Sequence, residues 1–307
     1  MSVKSSNNHT DLHTGSNAIP FLRWPGGKRW LVPSLLPIVT CHLKSRYYEP
    51  FLGGAALFFA LNPNKATLSD LNPDVANVYR QVRDHPNTLI KKLKVLSVDK
   101  KSYYAIRESS AQSAIDRAVR FLYLNRTAFS GLYRLNRAGR FNVPYGGGSR
   151  THRVLWQKGL ITTASQSLKG KEITACDFAQ TLQRAKSGDV VYCDPAYTVM
   201  HGNNGFRRYN ESIFSWADQE RLASAAIAAS QRGAFVVVSN AYHKSLRKLY
   251  STASSTRIKR ASCLSPNAKH RGEVYEYLFV LPPGLRSCAM SSDCLNLKKP
   301  MHMRRDV

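Results

Sequence analysis

The chain has 307 residues, 43% of them hydrophobic, and carries 45 Lys and Arg against 19 Asp and Glu, a net charge of +26. That size and composition suit a globular protein with a real core and argue against a disordered chain. No apolar run approaches the roughly 20 residues of a membrane span, and Met1 to Asn17 lack the apolar core of a signal peptide, which argues against export. The charge excess favours a polyanionic partner. Nucleic acid leads over anionic membrane, because no strongly amphipathic basic helix with Trp and Leu stands out. Six cysteines, at 41, 176, 193, 263, 288 and 294, form no C-x-x-C pair, and the nine histidines form no H-E-x-x-H. That pattern predicts no metal site and no disulfide framework.

In chain order, residues 1–18 read as a disordered tail rich in Ser, Asn and His. Next comes Phe21-Leu22-Arg23-Trp24-Pro25-Gly26-Gly27-Lys28, where two glycines permit a tight bend beneath Trp24 and Lys28 supplies a cation. Residues 45–72 have α/β syntax. A strand at Tyr47-Tyr48-Glu49 leads into the Gly53-Gly54 turn, a helix from Ala55 to Leu61, and a strand from Ala66 to Asp70. The glycine turn is neither G-x-G-x-x-G nor a Walker loop, so a phosphate cradle is weakly supported.

Residues 74–155 read as mostly helical and strongly basic, with 16 Lys and Arg against five Asp and Glu. Within Ala111 to Arg126, Ile115, Val119 and Leu122 mark one apolar face. The end of the segment, Phe129 to Gly148, resembles a hairpin with loops. α/β syntax then returns over 172–283. It includes a helix from Trp216 to Arg232 capped by Ser215, with Asp218 near its positive end, and a strand from Ala234 to Ser239. Two strands, Thr256 to Arg260 and Glu273 to Leu281, flank a basic loop. Residues 284–307 read as a flexible basic tail.

The segment Gly188-Asp189-Val190-Val191-Tyr192-Cys193-Asp194-Pro195-Ala196-Tyr197 carries the most chemistry. Val190 to Tyr192 are strand formers, and Pro195 ends the pairing because it has no amide hydrogen. A carboxylate at the carboxyl end of such a strand sits where α/β sheets place ligands. An acceptor, a rigid carbonyl and a flat ring together suit a planar substrate bearing an amine.

Taken in order, W-x-G-G-K, E-P-F-x-G, an acid after a strand, a basic insertion and D-P-x-Y resemble the Dam-like DNA adenine-N6 methyltransferases. The likeness runs from about residue 21 to 283, and it includes Phe121-Leu122-Tyr123-Leu124-Asn125-Arg126 and Phe141-Asn142-Val143-Pro144-Tyr145-Gly146. It implies a Rossmann-like α/β methyltransferase domain, 19–73 and 156–283, with an inserted helical and hairpin DNA-recognition domain, 74–155. The implied cofactor is S-adenosylmethionine and the implied partner is double-stranded DNA, without metal or membrane. The resemblance further implies a monomer in a bacterial or phage-infected cytoplasm, associated with the nucleoid through DNA.

Site residues follow from the same resemblance. Trp24, Lys28, Glu49, Phe51, Gly53, Asp70, Asp177, Phe178 and Asp194 would hold the cofactor, with Asp70 on the ribose. Asp194, Pro195 and Tyr197 would act on a flipped-out adenine. Arg126, Ser130, Tyr133, Arg134, Asn136, Arg137, Lys269 and Arg271 would meet DNA, with Arg134 reading a guanine edge. Met200 to Tyr209 would order on DNA.

Three departures stand out. The common D-P-P-Y reads Asp194-Pro195-Ala196-Tyr197, which loses rigidity at its third position. Ala55 and Ala56 stand where a further glycine is common, which is acceptable if that backbone is already helical. Ala128-Phe129-Ser130 differs from the Dam loop; the target that the resemblance implies is GATC or a related short site. Two other readings stay open at this point. One is a DNA binder without turnover, motivated by Ala196; the other is a methyltransferase of RNA or of a protein amide.

Overall fold

The computed structural model describes residues 18–136, 138–148, 153–156, 159–198, 214–261 and 273–285. Seven strands form one sheet: β1 (Tyr47–Glu49), β2 (Ala66–Asp70), β3 (Glu172–Ala175), β4 (Val190–Cys193), β5 (Phe235–Ala241), β6 (Ser254–Ala261) and β7 (Glu273–Leu281). Their order is β3-β2-β1-β4-β5-β7-β6. The first five run parallel, and β7 lies antiparallel between β5 and β6. The central strands are buried on both faces, which is why Val190 to Cys193 and Phe235 to Ala241 are nearly continuous apolar runs.

The chain steps outward from β1 through β2 to β3, then returns to β4 on the other side of β1. Open α/β sheets bind ligands at the carboxyl ends of strands beside such a reversal. β1 ends there on Glu49, and β4 ends there immediately before Asp194.

The helices are α1 (Val32–His42), α2 (Ala56–Leu61), α3 (Pro73–Asp84), α4 (Pro86–Lys94), α5 (Lys100–Glu108), α6 (Ala114–Thr127), α7 (Arg153–Trp156), α8 (Leu160–Leu168), α9 (Phe178–Leu182), α10 (Trp216–Gln231) and α11 (Lys244–Leu249). Local chemistry sets several starts. Asn72 accepts the Asp74 amide at 2.9 Å and Pro73 opens α3, while Ser215 and Asp218 form a reciprocal capping box on α10.

The sheet separates two apolar layers. One holds α9, α10 and α11. The other begins with α1, α2 and α3 and continues without a break into α4, α5, α6 and the hairpin that follows. Thus α3, at the start of the basic segment, covers β2 and β3 and also packs on α8. The basic segment shares its core with the sheet rather than owning a separate one.

Residues 128–136 and 138–145 carry the expected hairpin, with antiparallel bridges at Ala128–Tyr145 and Leu135–Phe141. Tyr103 of α5 donates to the Val143 carbonyl at 2.8 Å and fastens it to the helices. Apart from Ala18, Gly284 and Leu285, both expected tails lie outside the described residues, as do Met200 to Tyr209, Arg137, Lys269 and Arg271.

Candidate active site

Asp194 leaves the end of β4 with its side chain 21% exposed. Ser239 of β5 donates to its Oδ1 at 2.8 Å, and Tyr192 lies 3.0 Å behind Ser239. With the serine proton directed at Asp194, Tyr192 donates to Ser239, so the carboxylate ends a short buried relay. Lys28 Nζ lies 2.9 Å from the same Oδ1. It also donates to the Gly26 carbonyl at 2.8 Å and sits 5.0 Å above the Tyr197 ring. Tyr197 in turn donates its hydroxyl to Glu276 Oε2 at 2.6 Å. Glu276 belongs to β7, is only 2% exposed, and lies 3.8 Å from Lys28. Burial and the adjacent Asp194 and Glu276 carboxylates push the Tyr197 phenol well up.

A second set of residues lines the neighbouring strand ends. Gly53 has φ +40°, and a Cβ there would fall 2.8 Å from the Trp24 ring, so only glycine lets the two approach. Asp70 closes β2 and accepts the Gly53 amide at 3.1 Å and the Asn72 amide at 2.9 Å. Burial outweighs those bonds and pushes its carboxyl up to about 6. Burial likewise pushes Glu49 up to about 8, despite a 2.9 Å bond from Tyr47, and the Asp194 charge adds to the rise. Phe51, Phe178 and Phe214 form an aromatic cluster with centroids 5.5 to 5.7 Å apart. Asp177 caps α9 through the Ala179 amide and pairs with Arg221 at 2.9 Å, and Arg221 also lies over Phe178.

The hairpin touches this site directly. Tyr133 stacks on Trp24 with centroids 5.8 Å apart and leans on Phe121 and Phe141. Asn125 of α6 accepts the Arg23 amide at 2.9 Å and donates to the Arg23 carbonyl at 2.7 Å. The Trp24–Lys28 loop is therefore held by the basic segment as well as by the sheet.

A family model described as D12 class N6 adenine-specific DNA methyltransferase matches residues 24–264. The chain belongs to this family. A type II methyltransferase, M1.LlaDCHI of Lactococcus lactis subsp. cremoris, is 34% identical over 85% of this chain and 95% of its own length. A DNA adenine methylase of Vibrio cholerae is 34% identical over 88% and 98% respectively. The DNA adenine methylase of Escherichia coli K12 is 30% identical over 88% and 97%. The activity of a D12 methyltransferase is methylation of adenine N6 in DNA, and the Rossmann-like α/β fold expected from the sequence accords with it.

Within this D12 chain the structure brings Trp24, Lys28, Glu49, Phe51, Gly53, Asp70, Phe178, Asp194, Pro195 and Tyr197 to one end of the sheet. The expected DNA-facing residues divide. Arg134 is exposed, and Asn142 braces its Nε at 2.8 Å. Ser130 is exposed with a left-handed φ of 53°, beside Phe129, which is 54% exposed. Asn136 spends its side-chain oxygen on the amides of Ala138 and Arg140, so it shapes the hairpin tip.

Two expectations are corrected. Arg126 is only 7% exposed, because it follows Leu122 by four residues and so continues the buried face of α6. Burial beside Arg23 and Arg29 pushes its guanidinium down to about 10. Tyr133, half-buried, packs between the hairpin and Trp24. The backbone at Ala55 also differs from expectation: it is left-handed, with φ 51°, not already helical. Glu276, Ser239 and Asn125 are not among the residues expected from the sequence to form the site. A lone acid within Val274-Tyr275-Glu276-Tyr277-Leu278 was the one visible signal for Glu276.

Proposed function

We propose that this end of the sheet takes a flipped-out adenine from duplex DNA, with Asp194, Pro195 and Tyr197 as the groups that act on it. The observation that carries the reading is the Asp194 carboxylate. It is aimed by Ser239 and already meets one N–H donor, Lys28 Nζ, at 2.9 Å. The exocyclic amine of adenine is a poor nucleophile because its lone pair is delocalised into the ring. Two acceptors, the Asp194 carboxylate and the Pro195 carbonyl, draw its protons and localise the pair. The Tyr197 ring, anchored through its hydroxyl, supplies a flat surface for the base. Proximity and preorganised charge provide most of the acceleration. The amine is paired inside the duplex, so the base leaves the stack before it reaches Asp194.

The residues beside it fit S-adenosylmethionine. Asp70 has both oxygens steadied by backbone amides and keeps acceptor capacity for ribose hydroxyls. Phe51 and Phe178 offer aromatic surface to an adenine ring, and Trp24, Gly53 and Glu49 lie beside them at the strand ends. When bound, that cofactor supplies an electrophilic methyl group on a positively charged sulfur. Glu49 and Asp194 place acidic side chains on the side of the site that would face this charge.

On the DNA side, Arg134 reads a guanine within GATC or a related short site, and the basic surface of the recognition segment neutralises phosphates. The deciding experiment is long-read detection of modified bases in DNA from a methylation-free host expressing the protein, with Asp194→Ala as control. N6-methyladenine at one short motif, absent with the variant, is the expected result. Soluble, folded wild-type protein that leaves every adenine unmodified would refute the reading.

A further inference from the structure

Ala196 takes the place where the D-P-P-Y pattern has a second proline ring. Such a ring locks φ, whereas alanine leaves it free. The loop is restrained here by another route. Gln219, on the first turns of α10, is fully buried. Its Nε2 donates to the Ala196 carbonyl at 3.4 Å and to Thr198 Oγ1 at 3.1 Å. Its Oε1 accepts Asn240 Nδ2 of β5 at 2.9 Å, and Asn240 is equally buried. Asn240 Oδ1 accepts the Ala241 amide at 2.8 Å. Thr198 Oγ1 donates onward to the Phe214 carbonyl at 2.9 Å, into the aromatic cluster with Phe51 and Phe178. Every side chain in this chain of bonds is shielded from water, where a hydrogen bond has no solvent competitor.

We propose that Gln219, backed by Asn240, is a positioning residue for methyl transfer, holding the Ala196 backbone so that the Pro195 carbonyl and the Tyr197 ring keep their place without a second proline. The inference rests on reading the Asp194–Tyr197 loop as the site of methyl transfer. Gln219 is assigned no contact with base or cofactor; it acts through the backbone of the loop. It also gives Ala196 a meaning other than lost turnover, since the restraint has moved from the covalent ring to a buried amide pair.

The test is a rescue cycle. Gln219→Met keeps the volume and removes the hydrogen bonds, while Ala196→Pro restores the ring. Single-turnover methylation is followed with tritiated S-adenosylmethionine on DNA from a methylation-free host, across DNA concentrations. Gln219→Met should slow the methyl-transfer step about tenfold, since small misplacements cost that much or more, with half-saturating DNA changed less than twofold. With Ala196→Pro as its reference, the double variant should recover most of the rate that Gln219→Met loses. A merely structural Gln219 gives no such rescue. Thr198→Val, which removes the Gln219–Thr198 and Thr198–Phe214 bonds but keeps the contact with the Ala196 carbonyl, serves if Gln219→Met does not fold, and should be slowed less and rescued in the same way.

Unchanged single-turnover rates in folded Gln219→Met, or a slowed rate that Ala196→Pro leaves uncorrected, overturn the proposal. A wild type that methylates no DNA overturns the underlying reading instead, which separates the two failures.

Discussion

Lys28 Nζ lies 2.9 Å from Asp194 Oδ1 and 3.8 Å from Glu276 Oε2, so one buried ammonium is poised between two carboxylates from different strands. The nearer carboxylate is the one assigned to the adenine amine, and the farther one anchors Tyr197. A base arriving at Asp194 competes with Lys28 for Oδ1, and Glu276 is the partner to which the displaced ammonium can turn.

Asp194→Ala should therefore abolish methylation yet leave the fold intact. Orphaning a buried charge commonly costs about 3–5 kcal/mol. Here Lys28 keeps the Gly26 carbonyl and Glu276, so the cost should stay below that range. A rate loss of at least roughly 10³-fold, with a melting temperature within a few degrees of wild type, is the expected pair of results. Retained methylation in that variant would sink the mechanism.

Glu49 gives a second prediction. Its carboxyl titrates near 8, so it is mostly protonated at pH 7 in the free protein. A positively charged sulfur bound nearby favours the carboxylate and should expel that proton. Calorimetry of S-adenosylmethionine binding at pH 7, in buffers of different ionisation enthalpy, should report net proton release. The uncharged product S-adenosylhomocysteine should release less, and Glu49→Gln should abolish the difference. Equal proton release for the two ligands in the wild type would place the methyl donor's charge away from Glu49.

The same group sets a pH dependence of stability. Its folded value, about 8, lies above the ordinary 4.5, so the folded state binds the extra proton between them. Its contribution to stability is then greatest below about 4.5 and falls as pH rises toward 8. Glu49→Gln removes that titration. It should match the wild type near pH 4 and exceed it at pH 8 by on the order of 2–4 kcal/mol, read from urea midpoints. A constant difference across that range would mean that burial does not control this carboxyl.

Much of this site is legible in the sequence because its acids stand at the ends of apolar runs. Asp70 and Asp194 each follow a strand-forming stretch, and the sheet brings those ends together. Three features are not legible. Arg126 reads as surface by its charge, but its four-residue spacing from Leu122 carries it inward. Glu276 meets Tyr197 across 79 positions of chain, a contact set by β7 turning back between β5 and β6. Gln219 looks like an ordinary polar position near a helix start, and only the packing of α10 over the Asp194–Thr198 loop gives it a partner.

Ala55 carries strain that can be measured. A left-handed alanine costs roughly 1–2 kcal/mol, while glycine in its place loses about 0.5–1 kcal/mol through the freer unfolded chain. Ala55 is buried and its φ is 51°. Ala55→Gly should therefore stabilise the fold by about 0.5–1 kcal/mol, seen as a small rise in the urea midpoint at unchanged slope. Destabilisation would show that the methyl group contributes packing that outweighs the strain.

Arg134 offers the sharpest test of how DNA is read. Its guanidinium is exposed at the hairpin, and Asn142 engages Nε at 2.8 Å, while Nη2 makes a longer 3.4 Å contact with the Asn142 carbonyl. That bracing leaves donors directed outward and limits rotation of the fork, which suits the two acceptors of a guanine edge. Arg134→Ala should cost about 1–3 kcal/mol at the preferred site and relax the choice at a single base. Arg140, also exposed on the hairpin, should behave differently if it meets phosphate. Arg140→Ala should weaken all sequences alike and reduce the salt dependence by about one counterion. Asn142→Ala should mimic Arg134→Ala in part, because the fork stays charged but is no longer held. Competition among oligonucleotides differing at each position of the methylated motif separates these outcomes. A uniform loss for Arg134→Ala, with every base preference kept, would reassign Arg134 to the phosphate backbone.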